Sequence, residues 1–181
     1  TTRTVDVTVA GDEFVEVDET ITLTLSNPTG TDVVIGDATG SGTINNDDQA
    51  NVTIADVAVN ENSGTATITL TVDNAVDGGF SVDVSTADGT ATTADSDYSS
   101  VTNATETFAG TASETETFTI TLGSDTKVEA DETITISMSN LMPSTVDPLD
   151  IDISDTGTLT LNNDDAATVT IADVAVNENS G

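Results

Sequence analysis

The sequence predicts an all-β protein, an antiparallel two-sheet β-sandwich of about seven short strands per repeat, in tandem repeats. Three observations predict it. Apolar residues alternate with Thr and Ser at a period of two. Gly, Asp, Asn and Ser separate these alternating segments, as they do between strands. Long stretches of sequence occur twice. No segment carries an apolar stripe of period 3.6, so helices are not expected.

Two pairs of near-identical segments define the repeat. NNDDQANVTIADVAVNENSG at residues 45–64 returns as NNDDAATVTIADVAVNENSG at residues 162–181, and VEVDETITLTLSN at residues 15–27 returns as VEADETITISMSN at residues 128–140. The unit is therefore about 115 residues long. Three pieces follow: the C-terminal part of one repeat at residues 1–48, a complete repeat at residues 49–165, and the first strand of the next repeat at residues 166–181.

Within the complete repeat, the alternation assigns the strands in order. Their apolar faces are Val52, Ile54, Val57 and Val59; Ala66, Ile68, Leu70 and Val72; Phe80, Val82 and Val84; Phe118, Ile120 and Leu122; Ile134, Ile136 and Met138; and Leu159 and Leu161. A further strand is expected near residues 105–109. A slip in the alternation at residues 55–56 indicates a β-bulge in the first strand.

Composition excludes many functions. The chain has 181 residues, with 33 Asp and Glu, 2 Lys and Arg, and no His or Cys, which gives a net charge of −31. Disulfides, thiolate or imidazole catalysis and nucleic-acid binding are therefore not expected. No apolar run is long enough to insert into a membrane. Paired carboxylates can hydrolyse glycosides, but one Tyr and no Trp offer little sugar-binding surface, so we expect no enzyme.

High charge with 3% aromatic residues is also typical of disordered chains. The ordered alternation favours a folded protein, at least with a cation bound. Acidic residues gather in the predicted turns, and several of these turns are expected at one end of the sandwich. Crowded carboxylates repel one another, and a Ca²⁺ ion, which takes about six to eight oxygen ligands, would relieve that repulsion. The alternative is a set of solvated acidic turns without an ion.

Four segments of the complete repeat carry a family resemblance. They are Glu-Asn-Ser-Gly-Thr at residues 61–65, Ala-Asp-Gly-Thr-Ala through Ser-Asp-Tyr at residues 87–98, Val-Glu-Ala-Asp-Glu at residues 128–132 and Asn-Asn-Asp-Asp at residues 162–165. Their order resembles the Calx-β family. The resemblance implies an immunoglobulin-like sandwich of seven strands. Members occur in the regulatory part of sodium–calcium exchangers, in integrin-associated extracellular proteins and in very large bacterial surface proteins.

The resemblance also implies Ca²⁺ as the cofactor. The matching ligands in the complete repeat are Glu61, Asp97, Asp125, Glu129, Glu132, Asp164 and Asp165. The first partial repeat carries Asp12, Glu16, Glu19, Asp47 and Asp48, and Glu178 begins a third site. The exchanger-type pattern has acids where Ser124 and Asn163 stand, which implies fewer ions or weaker binding, near the range of about 10⁻⁴–10⁻³ M of extracellular modules.

These features predict a structural Ca²⁺-binding repeat of a long, acidic, secreted protein of a bacterial cell surface, either an adhesin stalk or a fibre. Its partners would be neighbouring copies of the same repeat, joined head to tail by covalent continuity or by strand exchange. The adhesive target is not encoded in these residues. Two alternatives stay open: a Ca²⁺-sensing regulatory domain, and a spacer repeat of a secreted multidomain enzyme.

Overall fold

The alternation of Thr with Val, Ile and Leu produces β-strands along most of the chain. In a computed structural model that describes residues 2–179, the strands are β1 (Glu19–Thr24), β2 (Thr39–Ile44), β3 (Ala50–Ile54), β4 (Val57–Asn60), β5 (Thr65–Val72), β6 (Phe80–Asp88), β7 (Ala104–Phe108), β8 (Thr115–Thr121), β9 (Glu132–Pro143), β10 (Ile151–Asp152) and β11 (Thr156–Asn162). Among the described residues, helix is limited to two 3₁₀ turns, Glu61–Ser63 and Pro148–Asp150. None of the described helices could cross a membrane.

Strands β3 to β11 form a sandwich of two sheets. The sheet orders are β10-β3-β5-β8 and β4-β11-β9-β6-β7. The predicted all-β sandwich is confirmed, with two differences. The complete repeat has nine strands rather than about seven, because the first strand is divided and a short β10 lies in the predicted loop before β11. The sheets are also not wholly antiparallel, because β3 pairs with β10 and β4 with β11 in parallel.

The slip at residues 55–56 is a change of sheet, so the expectation of a β-bulge was wrong. β3 pairs with β5 in one sheet, whereas β4 pairs with β11 in the other. Two carboxylates hold the crossing: Asp155 Oδ2 accepts from the Ile54 N–H at 2.8 Å, and Asp56 Oδ1 accepts from the Thr158 N–H at 2.7 Å. The shift by one residue turns the apolar side chains of β3 and β4 toward the same core from opposite sheets.

The core lies between the two sheets and consists of the predicted apolar faces. Ile68 and Leu70 of one sheet and Ile134 and Ile136 of the other are fully buried. Phe80 and Phe108 stack with ring centroids 4.7 Å apart. No polar or charged residue among those described is buried in this core. The sandwich is therefore held by apolar packing, and its carboxylates are confined to its surface and its loops.

The flanking pieces are incomplete sandwiches. β1 and β2 pair with Glu19 opposite Ile44, which reproduces the pairing of Glu132 with Leu161 in β9 and β11. Residues 163–179 form no strand. Strands equivalent to β3 and β4 need partners such as β5 and β11, and the described part of the chain holds none for this segment. Residue 1 of the first predicted piece and residues 180–181 of the last lie outside the described residues.

The two copies of the same strand sequence differ in burial. Ile54 is 5% exposed, whereas its repeat equivalent Ile171 is 95% exposed. We therefore expect Ile54→Ala to lower the free energy of unfolding by about 2–5 kcal/mol, because it removes buried apolar contacts and leaves a cavity. Ile171→Ala is the matched control and should change it by less than about 0.5 kcal/mol. Chemical denaturation measures both values, and equal losses would contradict the assigned core.

Candidate metal centre

The predicted ligands of the complete repeat meet at one end of the sandwich. Glu61 opens the 3₁₀ turn between β4 and β5, and Asp97 lies in the connection from β6 to β7. The connection from β8 to β9 carries Asp125 and Glu129 and leads into Glu132. Asp164 and Asp165 follow β11. These loops meet because β5 and β9 begin, and β4, β6, β8 and β11 end, at the same edge of the two sheets.

Six of these carboxylates form two tight groups. One group is Glu61, Asp164 and Asp165, and the other is Asp97, Glu129 and Glu132; within each group, one oxygen from every residue lies within 4.8 Å of the others. Oxygens that share one Ca²⁺ ion at about 2.3–2.6 Å lie within about 5 Å of each other. The seventh, Asp125, lines a cavity of about 180 Å³ together with Glu61, Asp97 and Glu132. The separation of the oxygens in each group therefore suits a divalent cation.

Two oxygens at this centre have no partner among the described residues. Glu61 Oε1 and Asp165 Oδ2 are buried and accept no hydrogen bond. Burial, and then the charge of Asp165, raises the pKa of Glu61 above its ordinary value. Burial, and then the charge of Asp97, likewise raises the pKa of Glu132. Oxygens that are buried without donors, beside like charges, are costly unless a proton or a cation binds them. The donor set therefore fits a hard cation.

Positive charge within the centre comes from one side chain. Lys127 forms an ion pair with Glu129 and is 68% exposed. Its hydrogen bond to Glu129, and then the charge of that carboxylate, raises the pKa of Lys127. A single exposed ammonium group cannot balance seven carboxylates, and a cation bound by Glu129 would compete with Lys127 for the same oxygens.

Asn163 joins the two acidic loops. Its Oδ1 accepts from the Glu129 N–H at 3.0 Å, its N–H donates to Asp131 Oδ1 at 3.1 Å, and its Nδ2 donates to the Asp165 carbonyl at 3.1 Å. An aspartate could not make the last bond, because a carboxylate has no N–H. From the sequence, Asn163 was interpreted only as the absence of an acidic ligand. The structure instead shows it fixing the positions of two predicted ligands, Glu129 and Asp165.

The same arrangement recurs in the first partial repeat. Asn46 Oδ1 accepts from the Glu16 N–H at 3.2 Å, its N–H donates to Asp18 Oδ1 at 2.9 Å, and its Nδ2 donates to the Asp48 carbonyl at 3.1 Å. We call each set of three bonds an asparagine clamp. The sequence signal for the clamp was the occurrence of Asn at the same position in both copies, together with an Asp directly before Glu132 in one copy and directly before Glu19 in the other.

The loop that carries Asp97 is also held in place. Asp97 Oδ2 accepts from the Thr92 N–H at 2.7 Å, and its carbonyl accepts from the Gly123 N–H at 2.8 Å. A Cβ atom on Gly123 would lie 1.8 Å from the Ser96 carbonyl oxygen, so only glycine permits this approach. The Tyr98 hydroxyl donates to Asp88 at 2.7 Å, and burial, then this bond, raises the pKa of Tyr98 to about 12.

The remaining predicted ligands are less complete. Burial, and then Glu19 and Asp12, raises the pKa of Glu16, and burial, then Asp47, raises the pKa of Asp48. These side chains interact, but the described residues show no group of three among them within 4.8 Å. Glu178 is exposed in the C-terminal segment and joins no such group there either. Metal binding at these positions stays a prediction.

Two neighbours of the centre were absent from the predicted ligand set. Asp95 lines the same cavity as Asp97, and Asn62 donates from Nδ2 to Asp164 Oδ2. Their signal in the sequence was position alone, since Asn62 follows Glu61 directly and Asp95 stands two residues before Asp97.

Known proteins share this fold and sequence pattern. The Calx-beta domain model matches residues 1–58 and 45–175. The apo-form Calx CBD1 domain aligns at 20% identity over 65% of this chain and 100% of that one, with a TM-score of 0.51. CBD12 from CALX1.2 aligns at 20% identity over 64% of this chain and 44% of that one, with a TM-score of 0.52. The calcium binding domain CBD12 of CALX1.1 aligns at 22% identity over 65% of this chain and 47% of that one, with a TM-score of 0.51. No curated protein matches the chain significantly.

The asparagine clamp gives a test of how the centre is assembled. We expect Asn163→Ala to lower the free energy of unfolding by about 1–3 kcal/mol, because each lost hydrogen bond contributes about 1 kcal/mol. Asn60→Ala is the control, since Asn60 is exposed and its side chain caps no helix. Thermal melts of both variants in EDTA provide the measurement. A clamp without structural importance would give identical melting curves for the two variants.

Proposed function

Because the chain belongs to the Calx-beta domain family, which matches residues 1–58 and 45–175, we propose that it is a structural Ca²⁺-binding repeat. The ion would bind at the loop end of the complete repeat between the two carboxylate groups, Glu61 with Asp164 and Asp165, and Asp97 with Glu129 and Glu132. Asp125 would complete the ligand set. The role is architectural and includes no catalytic step.

One observation carries the proposal. Glu61 Oε1 and Asp165 Oδ2 are buried, have no hydrogen-bond partner among the described residues, and face each other's charge. Surface acids that only solubilise a protein keep their oxygens in water. Two loops that bury such oxygens side by side need a positive ligand, and the ordinary choice for an all-oxygen set is a hard divalent cation.

The donor chemistry favours Ca²⁺ over other ions. The chain has neither His nor Cys, so soft or borderline metals such as zinc find no preferred ligands. Magnesium demands a near-regular octahedron at about 2.0–2.1 Å, whereas Ca²⁺ accepts six to eight oxygens in flexible geometry. Carboxylates on loops of different length, gathered around a cavity of about 180 Å³, suit the second requirement better.

We further propose that such repeats form a long fibre or adhesin stalk outside a bacterial cell. Near-identical units in the sequence support an array, because repeats that contact only their neighbours are a means of building length. A net charge of −31 would keep neighbouring fibres apart. Asp164 and Asp165 directly precede the next unit in the sequence, so an ion bound there would stiffen both units.

A Ca²⁺-sensing role is the second candidate, supported by the likeness of fold to the Calx domains. Affinity distinguishes the two roles. A structural extracellular site binds at about 10⁻⁴–10⁻³ M, whereas sensors bind at about 10⁻⁷–10⁻⁵ M. Isothermal titration of the chain with Ca²⁺ gives the value directly, and a micromolar constant would favour the sensor.

Calcium should stabilise the folded chain. A ligand that binds only the native state adds RT ln(1 + [L]/Kd), about 2.7 kcal/mol at a hundredfold excess. We therefore expect a higher melting temperature in Ca²⁺ at several times the dissociation constant than in EDTA. Magnesium at the same ionic strength is the control for simple screening and should give a smaller rise. Superimposable melts in EDTA and in Ca²⁺ would refute the proposal.

Substitutions separate specific ligation from diffuse screening. Glu129→Gln and Asp165→Asn each remove one charged ligand and should weaken Ca²⁺ binding at least about tenfold, as measured by calorimetry. Asp83→Asn is the charge-matched control: Asp83 lies on β6, where it accepts from Thr105 and Asn140 and is outside the cavity. The Ca²⁺ affinity of the Asp83→Asn variant should equal that of the unsubstituted chain. An equal loss in all three variants would indicate screening by a counter-ion atmosphere.

A further inference from the structure

Val15 joins the first partial repeat to the complete one. Val15 is fully buried, its N–H donates to the Ala75 carbonyl at 2.9 Å, and its carbonyl accepts from the Asp77 N–H at 2.8 Å. It forms a parallel bridge with Val76, which is 1% exposed. Residues 75–77 lie between β5 and β6, at the end of the sandwich opposite the carboxylate groups. The acidic loop of one repeat therefore contacts the far end of the next.

The surroundings of Val15 agree with a head-to-tail joint. Glu16 and Asp18 of the partial repeat line a cavity together with Asp147, Leu149 and Asp150 of the complete repeat. The asparagine clamp of Asn46 fixes the residue after Val15, because Asn46 accepts from the Glu16 N–H. Val15 is thus presented to its partner by a scaffold that belongs wholly to its own repeat.

Val128 is the repeat equivalent of Val15, and its environment differs in one respect. The clamp is the same, since Asn163 accepts from the Glu129 N–H at 3.0 Å. Val128 itself is 51% exposed, and within residues 2–179 its backbone makes no hydrogen bond. The chain that leads away from each clamp is also the same: residues 46–64 and 163–181 differ only at Gln49 against Ala166 and Asn51 against Thr168.

We propose that Val128 is the docking residue for a following repeat of this sequence. In the joint, the Val128 N–H donates to the counterpart of the Ala75 carbonyl, and the Val128 carbonyl accepts from the counterpart of the Asp77 N–H. The occupant is the next unit of the same chain and not a second molecule, because Val15 already fills the 75–77 segment within each chain. The inference rests on the tandem array of the proposed function and is independent of Ca²⁺ binding.

Cysteine pairs test the joint cleanly, because the chain has no cysteine of its own. The test protein is the full chain with one added unit in phase, residues 1–165 followed by residues 49–181. Val128→Cys in the first complete repeat is combined with Val76→Cys in the second. Lys127→Cys with the same Val76→Cys is the matched control, since it is the neighbouring residue and is exposed. In the unextended chain, Val15→Cys with Val76→Cys is the positive control, because Val15 and Val76 already form a bridge there.

Disulfide formation under a mild oxidant should be at least about tenfold faster for the Val128 pair than for the Lys127 pair, because only facing Cβ atoms satisfy disulfide geometry. The Val128 and Val15 pairs should react at similar rates. Equal rates at 127 and 128, or reaction of the Val15 pair alone, would overturn the proposal. If Val76→Cys prevents folding, hydrogen exchange in the unsubstituted extended chain decides: protection of the second Asp77 amide supports the joint, and fast exchange overturns it.

Each measurement is made in EDTA and again in Ca²⁺. If the Val128 pair reacts but melting is insensitive to Ca²⁺, the joint is supported and the calcium role is refuted. If Ca²⁺ stabilises the protein but the Val128 pair does not react, the calcium role is supported and the joint is refuted.

Discussion

Repulsion between carboxylates is the constraint on which this molecule depends. The net charge of −31 does not act evenly, because some acids are satisfied locally. Burial alone would raise the pKa of Glu114, but the N–H donors of Ala109, Thr111 and Gly110 lower it overall. Burial would likewise raise that of Asp73, and donors from Asn51 and Asn74 lower it. Within residues 2–179, no N–H group donates to the carboxylates of Glu61 and Glu132, and burial and then neighbouring carboxylates raise their pKa values. This difference distinguishes acids that accept hydrogen bonds in turns from acids whose grouped oxygens suit a cation.

The period of two in the sequence predicted most of the fold because each strand has one apolar and one solvated face. The faces containing Ile68, Val82 and Ile134 are buried as expected. The change of sheet at residues 55–56 could not be predicted, because a bulge and a change of sheet produce the same slip of one residue. β10 was missed because two residues are too few for an alternation, and its pairing with β3 is a long-range contact.

The loop end was predictable in part. Acids in separate turns pointed to one place, since strands that begin or end at one edge bring their loops together, and Glu61, Asp97 and Glu132 do line one cavity. The structural role of Asn163 could not be predicted, because the sequence shows that an acidic ligand is absent at this position but not that the Asn side chain bonds Glu129 and Asp165. Whether the first strand of a repeat forms depends on its surroundings as well as on its sequence. Val169 is 96% exposed and its equivalent Val52 is 1% exposed, although their flanking sequences nearly coincide. A repeat of this kind takes its structure from the strands around it.

The divided first strand has a mechanical consequence. β3 and β4 open the repeat, and each pairs in parallel with a strand that closes it, β10 and β11. When tension pulls the two ends of a repeat apart, parallel strands at its beginning and its end slide along each other. Their hydrogen bonds are then loaded in shear and resist together, whereas bonds pulled open from one end break in succession. A pulling force on an array of such units would therefore meet its resistance at the β3–β10 and β4–β11 pairs. The rate of forced unfolding, and not the equilibrium stability of the core, would set how long the array holds.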